Sequence, residues 1–168
     1  MKTPNPITIL GIDPGYDRLG WAIVQINGSK LSVSSYGCIQ TNKKEDIFNR
    51  YEQIIKDLNV VIKKNRPDEL AIENLYFSKN TKTALRVSES RGVVITLALE
   101  SKMKIFEYNP VTIKQAVTGH GQADKKSVEK MTLMQLNLTN KDKVVDDAID
   151  ALAVAVTHFA SRKIRNFA

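Results

Sequence analysis

The sequence contains a single cysteine, Cys38, and only two histidines, His120 and His158. A lone cysteine cannot form an intramolecular disulfide, and so few thiol and imidazole groups supply a zinc site poorly. Cys38 lies in a stretch whose residues alternate as in a β-strand, and we interpret it as a packed thiol. We therefore expect a protein without disulfides or zinc that works in a reducing cytosol.

Long apolar runs and low-complexity segments are also missing from the sequence. The run GVVITLALE (92–100) is too short to span a bilayer, which takes about 20 apolar residues, and the first residues do not resemble a secretory signal. No repeat or linker divides the 168 residues, of which 42% are hydrophobic. These features predict one globular domain over residues 1–168.

Acidic residues are fewer than basic ones, 18 against 25, and the formal net charge is +7. Such an excess favours polyanionic partners and says little about the fold. Nucleic acid is the leading candidate on this ground, while an acidic membrane surface or the ribosome stays open.

The order of apolar periods along the chain indicates the fold class. An antiparallel meander is predicted first, because turn residues separate its three short apolar runs, and helical and strand periods alternate afterwards. This order indicates an α/β protein with a mixed five-stranded sheet and helices on both faces. The predicted strands are 7–13, 20–26, 30–40, 69–73 and 104–108; the predicted helices are 44–65, 81–102, 110–117, 125–136 and 144–162, with a loop at 119–124.

Two carboxylates end buried strands: Asp13 closes ITILGID and Glu73 closes ELAIE. In open α/β sheets, ligands and reactive groups gather at the rim where strands leave the sheet. If the two strands are neighbours, Asp13 and Glu73 meet at one point on that rim.

The last predicted helix begins with three aspartates, Asp146, Asp147 and Asp150, in the stretch VVDDAIDALAVAVTH. Carboxylates near a helix N-terminus are favourable in their own right, and capping is the simplest explanation for any one of them. Helical geometry places Asp147 and Asp150 together on one side. The face expected to pack on the sheet comprises Val145, Ile149, Leu152 and Val156.

Carboxylates brought together repel one another and lose hydration unless a cation lies between them. Hard divalent cations that prefer oxygen ligands are the natural counter-ions, and Mg²⁺ also bridges to phosphate. Oxygen ligands in a basic protein therefore indicate two-metal phosphodiester hydrolysis.

Four segments resemble, in the same order along the chain, the RuvC family of Holliday junction resolvases. They are ILGIDPG near the start, AIENLYFSKNTKTALRVSESRG (71–92), EYNPVTIKQAVTGHGQADKKSV (107–128) and DDAIDALAVAVTH (146–158). The resemblance implies a ribonuclease H-like fold and a homodimeric crossover junction endodeoxyribonuclease. Such an enzyme nicks two opposed strands of four-way junction DNA at symmetric positions, in recombination and repair. A bacterial cytoplasmic location, a branch-migration helicase complex as partner and no membrane partner are also implied.

The same resemblance implies that Asp13, Glu73, Asp147 and Asp150 are the metal ligands and hold two Mg²⁺, for which Mn²⁺ would substitute. Helical geometry also allows Asp146 to be the metal ligand in place of Asp147, since Asp146 lies four residues before Asp150. The family pattern acid-Ala-x-Asp-Ala-Leu-Ala matches DAIDALA from Asp147, so Asp146 is expected to cap the helix. One metal would activate water for in-line attack, and the second would stabilise the departing 3′-oxygen and leave a 5′-phosphate.

Lys114 and Lys125 match lysines that the family places beside its active centre, where they would neutralise the reacting phosphate or grip the adjacent strand. The position of Tyr76 is one where the family stacks an aromatic ring on an unpaired base. For the cations outside the motifs, a solvated surface position is an equal alternative. The expected DNA-binding residues are Tyr76, Phe77, Lys79, Lys82, Arg86 and Arg91. His120 is expected to be a loop spectator, with a phosphate contact as the alternative, and His158 is expected to have a packed or capping role.

Three other functions are alternatives to this one. Actin-like ATPases and sugar kinases share a Gly-Ile-Asp-x-Gly start, but they need a second phosphate loop and a second such domain. A related nuclease acting on RNA or on other branched DNA differs in surface shape, which the sequence does not display. A junction binder with a decayed site is disfavoured because all four acids are present.

Overall fold

The computed structural model describes residues 6–74, 81–138 and 145–166. The strands in these residues form one mixed sheet in the order β3-β2-β1-β4-β5. β1 pairs antiparallel with β2 and parallel with β4, while β2–β3 is antiparallel and β4–β5 is parallel. The predicted meander and mixed sheet are thus confirmed. The strands are β1 (Ile7–Asp13), β2 (Arg18–Asn27), β3 (Lys30–Gln40), β4 (Glu69–Glu73) and β5 (Lys104–Tyr108).

Five helices lie within the described residues, and both faces of the sheet are covered. One face packs against α1 and α2, through core residues such as Ile54, Leu58 and Val94. The other face packs against α3, α4 and α5. No helix among the described residues has both the length and the apolar character needed to cross a membrane. The helices are α1 (Ile47–Asn65), α2 (Thr81–Glu100), α3 (Pro110–Thr118), α4 (Lys125–Gln135) and α5 (Asp146–Asn166).

Helix boundaries differ from the predicted ones by a few residues where a cap decides them. α1 begins three residues later than predicted because the Asp46 side chain accepts hydrogen bonds from the backbone N–H groups of Phe48 and Asn49. α2 ends two residues early, and Lys102 just beyond it has a left-handed backbone, with φ of 58°. α3 ends at Thr118, and the C-cap Gly119 has a φ of 78°, the conformation that favours glycine.

Helix α5 lies unusually close to the sheet because two glycines face it. A Cβ on Gly11 of β1 would lie 2.5 Å from the Ala151 carbonyl oxygen, and a Cβ on Gly20 of β2 would lie 1.9 Å from that of Asp147. Both distances are far inside van der Waals contact, so any side chain at these positions pushes the helix away. Gly20 is the cross-strand partner of Asp13. The start of α5 is therefore held beside the end of β1.

A buried polar chain anchors the other half of α5. His158 is fully buried, with its Nε2 2.7 Å from Glu69 Oε2 and its Nδ1 2.7 Å from the Tyr108 hydroxyl. Arg162 forms an ion pair with the same Glu69 carboxylate. These bonds tie α5 to the start of β4 and the end of β5. The expected packed role of His158 is confirmed.

The packing face predicted for the last helix is confirmed at Ile149, Leu152 and Val156, which are buried, and is wrong at Val145, which is 38% exposed. Val145 precedes the helix, and its carbonyl accepts from the backbone N–H groups of Ala148 and Ile149. Asp146 is consequently the first helical residue. The expectation that Asp146 occupies the cap position is therefore wrong by one residue, since Val145 holds that position.

The Gly20→Ala substitution should destabilise the protein by about 1–3 kcal/mol, because the new methyl group overlaps the Asp147 carbonyl. Urea unfolding measures this free energy. Gly92→Ala on α2 is the control, since a Cβ there meets no atom within 4 Å and alanine favours a helix by up to about 1 kcal/mol. If the free energy of unfolding of Gly20→Ala lies within about 0.5 kcal/mol of the wild-type value, the close approach of α5 to β2 is not a constraint.

Candidate active site

The four predicted carboxylates meet at one end of the sheet. Asp13 ends β1 and Glu73 ends β4, and the two strands run parallel with Ile12 opposite Ile72. Asp147 and Asp150 lie in the first two turns of α5, which the close contact at Gly20 holds over the same end. Each of the four side chains belongs to a partly buried residue. The prediction that these two strands are neighbours in the sheet is confirmed.

Asp13 lies at the centre of the group. Burial raises the pKa of its carboxyl well above the ordinary value, and the negative charges of Glu73, Asp150 and Asp147 raise it further, in that order. The ammonium of Lys125 lowers the pKa of Asp13 and so opposes them. These effects mean that the three other acids are close enough to act on Asp13 through the charge that each carries.

Glu73 is the second carboxylate with a displaced titration. Burial and the charge of Asp150 raise the pKa of Glu73 to about 7, and the nearby Lys114 lowers it. A carboxyl group that titrates near neutrality in a cluster of acids is unfavourable as an anion unless positive charge is added. Additional cations are therefore expected to bind here.

Two cations of the chain already contact the remaining acids. The Arg18 guanidinium places Nε 2.7 Å and an Nη 2.6 Å from the same oxygen, Oδ2, of Asp147. The Lys125 ammonium lies 3.0 Å from Oδ2 of Asp150. Cys38 on β3 lies beside Asp147, and burial raises the pKa of its thiol, which fits the packed thiol predicted for it.

A small cleft opens next to Glu73 and Asp150. Its volume is about 220 Å³. Its rim carries these two acids with Lys114 and Lys125, so charges of both signs face one opening. Such a rim suits a phosphate group held between cations and metal-binding acids. The apolar walls are formed by Pro110, Ile113, Val128 and Ala153.

The donor chemistry of the four acids fits hard divalent metals, since all are oxygen ligands and two of them are desolvated. Among the described residues, no group of three or more acidic, histidine or cysteine side chains forms a preassembled ligand cage. Asp147 and Asp150 contact Arg18 and Lys125 instead. A metal ion bound at this site would therefore replace or share these contacts with Arg18 and Lys125.

The loop after β1 is fixed by residues that the sequence analysis did not single out. Arg50 lies in the buried stripe of α1, donates to the Tyr16 carbonyl at 3.0 Å, and forms an ion pair with Asp17. The Ser90 hydroxyl on α2 donates to the Gly15 carbonyl at 2.9 Å. Arg50 could have been noticed, because it is a charged residue four positions before the buried Ile54.

Three of the six predicted DNA-binding residues, Lys82, Arg86 and Arg91, lie among the described residues. Arg86 is exposed on α2 and pairs with Glu89 at 2.8 Å. Arg91 is largely buried, forms an ion pair with Glu107, and its Nε donates to the Glu73 carbonyl at 3.3 Å, so its contacts position the end of β4. Lys82 lies in the first turn of α2. Tyr76, Phe77 and Lys79 lie outside the described residues, and His120 is exposed in the loop after α3.

A larger cavity, of about 940 Å³, lies at the opposite end of the sheet. Most of its cations lie near the C-termini of α1, α2 and α5. The C-terminus of each of these helices carries about half a negative charge. Asp68 and Glu69 line the same cavity. The two carboxylates and the helix ends offset part of the positive charge of the cavity, which weakens its attraction for a polyanion. Its cations are Lys63, Arg66, Lys102, Lys104 and Arg162.

Comparison with known proteins gives one consistent result. The model of the family described as crossover junction endodeoxyribonuclease RuvC matches residues 9–158. The RuvC protein of Pseudothermotoga lettingae is 43% identical over 156 residues, covering 93% of this chain and 96% of that protein. That of Alkaliphilus metalliredigens is 46% identical over 150 residues, covering 89% and 91%.

A solved structure shows the same fold. Thermus thermophilus RuvC, in complex with a Holliday junction substrate, superposes with a TM-score of 0.87 at 29% sequence identity, covering 95% of this chain and 96% of that one. The predicted ribonuclease H-like fold is thus confirmed.

The pKa of Glu73 predicts how stability depends on pH in a chelating buffer. Because the pKa is raised from 4.5 to about 7 on folding, the folded state binds this proton more tightly than the unfolded chain. Wild-type stability should therefore fall as the pH rises from 4.5 through about 7. Glu73→Gln removes the ionisation and should be more stable than wild type near pH 8, by up to about 3 kcal/mol.

Urea unfolding of both proteins at several pH values, with chelator present, measures this difference. The advantage of Glu73→Gln should shrink towards pH 4.5, the ordinary pKa of a glutamate. Glu52→Gln, at an exposed position on α1, is the matched control and should follow the wild-type profile. A Glu73→Gln effect that is independent of pH would contradict the assigned titration.

Proposed function

The chain belongs to the RuvC family of crossover junction endodeoxyribonucleases, and on that premise we propose which of its residues carry out the resolution of Holliday junctions. Members of this family are metal-dependent nucleases, and the chain is a Holliday junction resolving endonuclease. The observation that carries the residue assignment is the meeting of four carboxylates at the ends of β1 and β4 and the start of α5. Residues 1–168 are taken as one nuclease domain.

Asp13, Glu73, Asp147 and Asp150 are the proposed ligands of two Mg²⁺ ions, with Mn²⁺ as a substitute. The support is the desolvation of Asp13 and Glu73 and the mutual repulsion that raises the pKa of Asp13. When bound, the two ions supply Lewis-acid activation of the attacking water and neutralise charge on the departing 3′-oxygen. Asp13 would be the central ligand of the set, because the other three acids all act on it.

Lys125 and Lys114 are the proposed phosphate contacts. Both face the cleft beside Glu73 and Asp150, where a phosphate group could lie between them and the acids. Lys125 now contacts Asp150, and this contact keeps its ammonium next to the cleft. A cation held in this position stabilises the additional charge of the pentavalent phosphate without further reorganisation.

The DNA surface is proposed to continue from the cleft toward α2. Arg86 would contact backbone phosphates from its exposed position, and Arg91 would act mainly by holding the end of β4. Phosphate contacts of this type contribute affinity that falls with salt. Tyr76 is proposed to stack on an unpaired base, a contact worth about 1–3 kcal/mol. Phe77, Lys79 and Lys82 are proposed as further DNA contacts.

The proposed assembly is a homodimer, because symmetric nicking of two opposed strands needs two active sites. Leu85 and Leu99 on α2 are large apolar side chains that are 64% and 62% exposed, which favours this helix as part of the subunit interface. A branch-migration helicase complex is the proposed partner. The proposed location is the bacterial cytoplasm, where the junctions form.

Cleavage of a synthetic four-way junction tests the function and the ligand assignment together. Wild type should produce paired nicks on the junction and none on a linear duplex, and only with Mg²⁺ or Mn²⁺ present. Asp147→Asn should lower the rate by more than about a hundredfold, since even residues that merely orient metal ligands are often worth 10–100-fold.

Asp146→Asn is the matched control, because it changes the neighbouring residue of the same helical turn in the same way. It should retain most of the activity. If Asp146→Asn is inactive and Asp147→Asn cuts, the ligand is Asp146. A wild type that binds the junction and does not cut in either metal would overturn the nuclease assignment in favour of a binder.

A further inference from the structure

The contact between Arg18 and Asp147 has a geometry that matters for metal binding. Two nitrogens of the guanidinium lie 2.7 and 2.6 Å from Oδ2 of Asp147, so both bonds reach the same carboxylate oxygen. An arginine can instead bind both oxygens of a carboxylate with its planar fork. In the arrangement seen here, both nitrogens of Arg18 hold one carboxylate oxygen, and the Cys38 thiol also interacts with Asp147.

We propose that Arg18 is a positioning residue that holds the Asp147 carboxylate in place at the proposed metal site and offsets its charge until a metal ion binds. This inference rests on the proposed role of Asp147 as a metal ligand. Arg18 begins β2, one strand away from Asp13, and Gly20 two residues later contacts the backbone of Asp147. The guanidinium is therefore placed by the same strand that receives the start of α5.

The electrostatics give Arg18 a second effect. Without it, the negative charge of Asp147 would be uncompensated next to Asp13, whose cross-strand partner Gly20 contacts the Asp147 backbone. With it, part of the charge repulsion is offset before any metal is bound. The same positive charge also opposes the approach of a divalent cation, so Arg18 makes the metal-free protein more stable and its metal affinity lower.

A thermal unfolding titration without DNA tests this proposal. The Arg18→Gln variant in chelator should unfold about 1–4 °C below wild type, a range that reflects the 42% exposure of the arginine side chain. Addition of MnCl₂ or MgCl₂ should make the unfolding temperatures of the two proteins nearly equal, so the unfolding temperature of the variant should rise more. The metal concentration at half of the shift should be about fivefold lower for the variant, because a competing cation is gone.

Two further variants separate position from charge. Arg18→Lys keeps the charge but loses the fork, and it should restore most of the unfolding temperature in chelator. Arg86→Gln on α2 is the matched control, since Arg86 is 44% exposed and also paired with a carboxylate. It should leave the metal concentration at half-shift unchanged.

The Asp147→Asn background distinguishes failure of this inference from failure of the proposed function. There, Arg18→Gln should have no further effect on the metal response, because the partner is missing. If Asp147→Asn responds to metal as wild type does, Asp147 is not a ligand and the proposed function loses that residue. If Asp147→Asn loses its response while Arg18→Gln matches wild type with and without metal, Arg18 has no positioning role.

Discussion

The close contact between α5 and strands β1 and β2 is the constraint on which the site depends. Gly11 and Gly20 leave no side chain between the strands and the helix, and Ala151 and Asp147 approach through their backbones. Gly20 pairs with Asp13 across the sheet, so the contact that admits the helix lies beside the first carboxylate. The polar chain at His158 fixes the opposite half of the helix. The ends of β1 and β4 and the start of α5, which are distant in sequence, are thereby brought close together.

Gathering acids in this volume is electrostatically unfavourable, and the protein offsets the cost in stages. Desolvation and repulsion raise the pKa values of Asp13 and Glu73, which disfavours the ionised form of each carboxyl group. Arg18 and Lys125 contact two of the acids directly. Divalent cations would complete the compensation, because they interact with all of the carboxylates at once. Within the part of the chain that the structure describes, these side chains are thus gathered for cation binding without forming a preassembled cage.

Much of this organisation could be predicted from residue patterns. Asp13 and Glu73 were found because each ends a short apolar run, and parallel neighbours put such ends together. Arg18 was missed because its partner Asp147 lies 129 positions away, and no local pattern joins a turn arginine to a helix start. The start of α5 was misplaced by two residues, since Val145 caps the helix with its backbone alone, and its side chain is not of a capping type.

The central claim is that these four carboxylates bind the metals. Crystals soaked in MnCl₂, with diffraction recorded at a wavelength where manganese scatters anomalously, test it most directly. The account predicts anomalous peaks at about 2.0–2.3 Å from oxygens of Asp13, with Glu73, Asp147 and Asp150 completing the ligand set. Peaks that leave out Asp13, or an occupied position on Asp146 in place of Asp147, would contradict the account.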